Sequence, residues 1–220
     1  MSPDRRRAPH CDATWPTPGG GGRDFSALPA HALPRKNPMK LSKNWDEVCY
    51  PFIHQTSYLC DFEVTTDELC ALIGSAIAAM PDDMQDMRQD LETLQPLAFH
   101  INGSIRGRLA VTEDDQQWLL GRLQHYRTEV GEREHIFVLP RGTAPVPQLH
   151  QARSAAKKAI RCMVRVEEEG QKTVPDILPR MCNTLCNLFF LMTLVVNQRR
   201  GVEAVPFTSK SYGKPASSAD

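Results

Sequence analysis

The sequence predicts an all-α protein, a five-helix bundle. Three observations carry that expectation: apolar residues recur at three- and four-residue spacing in five segments, strand-like alternation is almost absent, and capping residues, prolines or glycines bracket the segments. The first helix is expected from an N-cap at Thr66, with Asp67 and Glu68 in its first turn complementing the helix dipole and Leu69, Leu72, Ile73, Ile77 and Met80 as its apolar run. The second begins after Pro81 and carries Met84, Met87, Leu91 and Leu94. Thr112 with Asp115 three residues on reads as a capping box, Asp replacing the usual Glu or Gln, and opens a third helix through Trp118, Leu119, Arg122, Leu123 and Tyr126. Phe137-Val-Leu-Pro-Arg-Gly-Thr, with Pro145 and Pro147 behind it, is a loop entering a fourth helix from Gln148 to about Glu169. A fifth runs from about Pro175 to Asn197, and Gly201 ends it.

Around this bundle, assigned to residues 39–208, the chain has two low-complexity ends. Residues 1–38 combine three consecutive arginines with a Gly19 to Gly22 run and scattered prolines, a composition that cannot bury enough apolar surface to offset the entropy of ordering. They read as a disordered extension, with Met39 as a candidate true start of translation. Residues 209–220 are small and polar and read as a flexible tail.

The 220 residues are enough for one domain with a real core. The 26 basic and 26 acidic residues cancel, so no global field draws in nucleic acid or an anionic membrane, and any anion must be bound locally. Seven cysteines without dense regular spacing suit a reducing, cytoplasmic setting. No signal-peptide pattern opens the chain, and the longest apolar stretch, Leu188 to Val196, is far below the ~20 residues of a membrane span.

On the fourth helix Arg153, Lys157 and Arg161 lie four residues apart with His150 one turn earlier, so all four share a face. By pattern such a stripe is either a solvated surface or, with few carboxylates nearby before Glu167 and small Ser154, Ala155 and Ala156 beside it, a seat for a polyphosphate. The fifth helix is apolar around most of its circumference, and so expected to be buried, yet it contains Asn183, Thr184, Asn187 and Asn197; Asn187 and Asn197 are expected to hydrogen-bond across the bundle rather than bind a ligand. Cys182 and Cys186 lack a second ligand pair and read as core thiols rather than a metal site; whether a metal is bound is left open.

Three blocks together resemble a known family. Phe137-Val-Leu-Pro-Arg-Gly-Thr-Ala-Pro-Val-Pro-Gln-Leu-His-Gln-Ala-Arg-Ser-Ala-Ala-Lys-Lys-Ala-Ile-Arg161 resembles, without a gap, the F-I-L-P-G-G-S…L-H-x-A-R-T-x-x-R-R-A-E-R signature of the PduO-type ATP:cob(I)alamin adenosyltransferases. Thr65-Thr-Asp-Glu-Leu-Cys70 resembles their T-V-D-E-L-N, and Asn183-Thr-Leu-Cys-Asn-Leu-Phe-Phe190 is similar to their N-R-L-S-D-x-L-F. The resemblance implies a five-helix bundle working as a homotrimer, with ATP and the corrinoid at subunit interfaces and Mg2+ accompanying ATP. It implies transfer of the 5′-deoxyadenosyl group of ATP to cob(I)alamin, giving adenosylcobalamin and triphosphate. Such chemistry needs binding, orientation and neutralisation of the polyphosphate more than proton transfer. The resemblance assigns catalysis to Arg153 with Asp67 as its partner, ATP binding to Lys157, Lys158, Arg161 and Asn183, and exclusion of cobalt's lower axial ligand to Phe137. A cob(II)alamin reductase or a B12-dependent enzyme is the implied protein partner.

The departures are equally specific. The family's N-terminal T-x-x-G-D-x-G-x-T phosphate loop has no counterpart, the glutamate of R-R-A-E-R is Ile160, and two lysines stand where bidentate arginines are usual. Lys40, Lys43, Arg141 and Lys210 are candidates to replace the loop. These departures motivate an alternative, a non-catalytic carrier or sensor of adenosylcobalamin or ATP; a helical interaction protein without a small ligand is the third reading.

Overall fold

The computed structural model describes residues 39–131 and 137–211 of the chain. The chain divides into units Met1–Lys40 and Leu41–Asp220. The expected disordered extension, 1–38, lies outside the described residues, as does the tail from 212 onward.

Five helices follow in order: α1 Tyr58–Ala78, α2 Gln85–Gly103, α3 Glu113–Val130, α4 Val146–Glu169 and α5 Ile177–Arg199. Among the described residues, extended pairing is confined to one antiparallel bridge between Val138 and Pro206. The fold class is the one the periodicity predicts.

The element boundaries differ most at α1, which starts eight residues before the expected Thr66. Its N-cap is Ser57, whose hydroxyl accepts from the Leu59 N–H. Glu169, at the end of α4, accepts from the Ser57 hydroxyl at 2.6 Å and the Tyr58 N–H at 2.8 Å, satisfying donors that a helix start leaves orphaned. Thr66 is fully buried inside the helix, its hydroxyl donating to the Phe62 carbonyl. The capping box of α3 is as expected: the Thr112 N–H donates to Asp115 Oδ2 at 2.7 Å, and the Asp115 N–H to Thr112 Oγ1 at 3.3 Å.

The packing order is α2, α1, α4, α5, α3, each helix lying against the next. A polar network joins the two outer helices: Asp90 of α2 accepts from Tyr126 Oη at 2.6 Å and pairs with Arg122 of α3 at 2.6 Å. Burial, and then the Asp90 carboxylate, push the Tyr126 phenol far above its ordinary range, so it stays a donor. α5 is buried over most of its length, and Leu188, Phe189, Met192, Val195 and Val196 are fully enclosed. At 23 residues it is long and apolar enough to span a membrane, contrary to the estimate from Leu188–Val196 alone, but 72% of its apolar window is buried within the bundle. That apolar surface is already used by the core.

The expected buried amides on α5 divide differently. Asn183 and Asn187 are exposed. Thr184 is buried and accepts from Gln116 Nε2 of α3 at 3.0 Å. Asn197 is buried, but its Oδ1 has no hydrogen-bond partner. Cys182 and Cys186 are core thiols, and enclosure pushes Cys182 up to about 12.

Candidate functional site

Pro147, in the first turn of α4, costs no intrahelical hydrogen bond, because the opening N–H groups have no helical acceptor. From that start, over the next three turns, α4 sets His150, Arg153, Lys157 and Lys158 along a hollow of about 520 Å³, closed by Glu68 and Leu72 of α1 and by Pro140 of the entering loop. Small Ala152, Ala155, Ala156 and Ala159 form the opposite, buried face, which lets α4 sit close on its neighbours.

Arg153 is half-buried. Its guanidinium carbon stands 5.0 Å from the centre of the Phe190 ring of α5, a cation–π contact, and Nη1 lies 3.5 Å from His150 Nδ1. Among the described residues it has no carboxylate partner. Lys157 is exposed and likewise unpaired, whereas Lys158 Nζ reaches across the hollow to Glu68 Oε2 at 3.3 Å. Three cations thus face one carboxylate, a surplus that suits a polyanion.

His150 does not belong to that cationic row. Only 7% exposed, it is pushed down to about 4 by burial and then by the Arg153 charge, so at neutral pH it is an uncharged wall of the hollow. Arg161 continues the helical row but is exposed and does not line the hollow, and neither does Asn183, whose Nδ2 donates to the Pro179 carbonyl at 2.8 Å. Ile160 is half-buried against the hydrophobic core. Lys40, Lys43, Arg141 and Lys210 contribute nothing to the lining.

Asp67 is on a different side. It lines a separate hollow of about 430 Å³ with Tyr50, Val64, Phe99 and Asn102, so within one chain it does not meet Arg153. Successive helical residues point about 100° apart. Glu68 is turned toward α4, and its neighbour Asp67 is turned away. Glu68 is the wall residue that sequence reasoning passed over, although it stands in the same Thr-Thr-Asp-Glu block.

Phe137 is 66% exposed and its ring lies 5.7 Å from that of Phe207. The chain after α5 returns to this loop: the Phe207 N–H donates to the Phe137 carbonyl at 2.8 Å and the Leu139 N–H to the Val205 carbonyl at 2.9 Å. Beside this ladder lies a third hollow, about 490 Å³, walled by Val138, Leu194, Asn197 and Pro206. Gly142 holds the loop against α5, since a Cβ there would stand 2.9 Å from Val146 Cγ1 and closer still to Asn197 Oδ1.

Among the described residues no group of three or more His, Cys, Asp or Glu could hold a metal ion. The single carboxylate lining the cationic hollow, Glu68, is engaged by Lys158. The hollow also lacks a cysteine or a second carboxylate for nucleophilic or acid–base work. What it can do is hold a polyanion against a fixed guanidinium.

The fold and hollow define a helical bundle with an open, cation-lined hollow on its fourth helix, and known structures have this fold. A variant of the PduO-type ATP:corrinoid adenosyltransferase from Lactobacillus reuteri, complexed with cobalamin and ATP, matches with a TM-score of 0.58 at 20% identity, over 70% of this chain and 88% of that one. Another variant of that enzyme, complexed with ATP, gives a TM-score of 0.59 at 23% identity, over 70% and 89%. In sequence, a corrinoid adenosyltransferase of Bacillus subtilis is 29% identical over 150 residues, 65% of this chain and 76% of that protein. A cobalamin adenosyltransferase of Cupriavidus metallidurans is 31% identical over 138 residues, 61% of this chain and 72% of that protein. The cobalamin adenosyltransferase profile matches residues 53–196, and the chain belongs to that family.

Proposed function

We propose that this chain is a corrinoid adenosyltransferase that seats the triphosphate of ATP along Arg153, Lys157 and Lys158 and transfers the 5′-deoxyadenosyl group to cob(I)alamin. The observation that carries the reading is a half-buried arginine, fixed over Phe190 and without a carboxylate, in the wall of a hollow with surplus positive charge. In the reaction, Co(I) supplies the electron pair of the new Co–C5′ bond, the C5′–O bond breaks, and triphosphate leaves with the electrons of the broken C5′–O bond. No proton need move, so the protein's task is to align C5′ and to neutralise charge on the departing triphosphate. Arg161 and Asn183, outside the hollow's lining in one chain, extend the ATP site at its rim. Phe137, exposed beside the Phe207 return, covers the lower face of the corrinoid and keeps the axial ligand away.

Asp67 and Arg153, unpaired on different sides of one chain, support a site completed by a second copy, in which Asp67 of one subunit faces Arg153 of the next within a homotrimer. The enzyme works in the cytoplasm beside a cob(II)alamin reductase or a B12-dependent acceptor. Ile160 and the missing glycine-rich loop favour a second reading, a carrier that binds ATP or adenosylcobalamin without turnover. Purified protein given ATP, Mg2+ and chemically reduced cobalamin should show spectral conversion to adenosylcobalamin. Corrinoid binding without conversion would establish the carrier instead.

A further inference from the structure

The sequence groups His150 with the cations of α4, whereas the structure encloses it beside Arg153, which has no carboxylate partner among the described residues. We infer that His150 is a positioning residue for Arg153: its neutral ring accepts a hydrogen bond at Nδ1 from the Arg153 Nη1 and so aims the guanidinium into the hollow at the polyphosphate of ATP. The inference rests on the proposed ATP site.

The geometry restricts the guanidinium from two sides. The Phe190 ring of α5 faces the guanidinium carbon at 5.0 Å and restrains the group from one side. The imidazole, one turn back on α4 with Nδ1 3.5 Å from Nη1, supplies an acceptor on a second side. An aligned fork of donors is what bidentate phosphate recognition requires. A carboxylate in place of the ring would hold Arg153 more tightly but cancel the charge that the hollow offers. A neutral acceptor holds it without that loss.

The surroundings keep the ring neutral. Besides Arg153, the charged groups facing the hollow are Lys157 and Lys158 on α4 and Glu68 on α1; the entering loop contributes Pro140, and α5 contributes the Phe190 ring beneath Arg153. Glu68 is occupied by Lys158. With Nδ1 accepting, the proton is on Nε2, which has no partner among the described residues.

Two measurements test this on the full chain. In a nitrogen-15 spectrum of the histidine rings, His150 should remain neutral with the proton on Nε2 at pH 7, and its titration should move toward the ordinary range in Arg153→Ala. A ring whose titration ignores Arg153→Ala overturns the contact. In kinetics, His150→Leu should raise the KM for ATP about tenfold, the scale of one hydrogen bond to a charged group, with less change in kcat. His150→Asn, which replaces Nδ1 by an amide oxygen, should restore most of the difference, and thermal melts should show both variants folded. If His150→Leu binds ATP as the unmodified chain does while Arg153→Ala does not, the positioning role is overturned and the ATP site stands. If the unmodified chain binds neither ATP nor inorganic tripolyphosphate, both fall, whatever the ring titration shows.

Discussion

Two parts of this bundle use arginine in opposite ways. Along the α2, α3 and α5 flank, four arginines meet carboxylates: Arg122 meets Asp90 at 2.6 Å, Arg180 meets Glu113 at 2.7 Å, Arg199 meets Asp86 and Glu129 at 2.7 Å each, and Arg200 meets Asp83 at 2.7 Å. Hydrogen bonds donated to Glu129 and Asp86 push Arg199 far above its ordinary range, and Arg199 in turn holds Asp86 below the usual carboxylate range. On α4, Arg153 meets a phenyl ring and a neutral imidazole instead. The first arrangement consumes its charge in joining helices; the second keeps it available for a ligand.

That contrast predicts which substitutions stop catalysis and which loosen the fold. Arg153→Ala should lower turnover by roughly 10² to 10³-fold, the scale of losing a preorganised transition-state charge, while circular dichroism and melting stay unchanged. Near-normal turnover would put Arg153 in the same class as the flank arginines. Asp90→Ala should do the reverse. It strands Arg122 and the enclosed Tyr126 hydroxyl, costing about 3 kcal/mol in denaturant unfolding, with the ATP affinity of the folded fraction unaltered.

Acid should act through the enclosed imidazole. The His150 pKa is lowered in the folded chain, so between the ordinary 6.5 and about 4 the unfolded chain binds the extra proton; stability is complete above that window and declines as pH falls through it. The decline attributable to this ring is about 2 to 3 kcal/mol, and His150→Asn should remove that part of the pH dependence of the melting temperature. The smallest effect belongs to Glu68→Gln. The Lys158 pair is exposed, so stability should change by only about 0.5 kcal/mol, while ATP binding should tighten modestly and become more sensitive to salt. Weaker ATP binding in this variant would mean that Glu68 assists the nucleotide rather than competing with it for Lys158.

The sequence was most legible where structure is local. The Thr112–Asp115 box is made by neighbours along the chain, and α3 begins where it says. The apolar spacing of Met87, Leu91 and Leu94 likewise marks the buried face of α2. The start of α1 escaped detection because half its cap is Glu169, remote in sequence, while Thr66, a good cap by type, spends its hydroxyl on a carbonyl of its own helix. At the site, helical spacing puts Arg153 and Lys157 on one face, but it cannot tell that His150 turns inward and loses its charge. Nor can it decide which of Asp67 and Glu68 looks toward α4, since that depends on the rotation of α1 against its neighbour. The exposure of Asn183 and Asn187 has the same origin, a strip of α5 that none of the described helices covers.

The Glu169 clasp on α1 also orders events during synthesis. Its carboxylate joins Ser57 and Tyr58 across 112 and 111 residues of intervening chain. A nascent polypeptide can therefore wind α1 early, but it cannot seal that helix's first turn until the far end of α4 has left the ribosome. A fragment halted before residue 169 keeps the Ser57 cap on Leu59 but leaves the Tyr58 amide without its acceptor, so the first helix of the bundle is completed only with the last residue of α4.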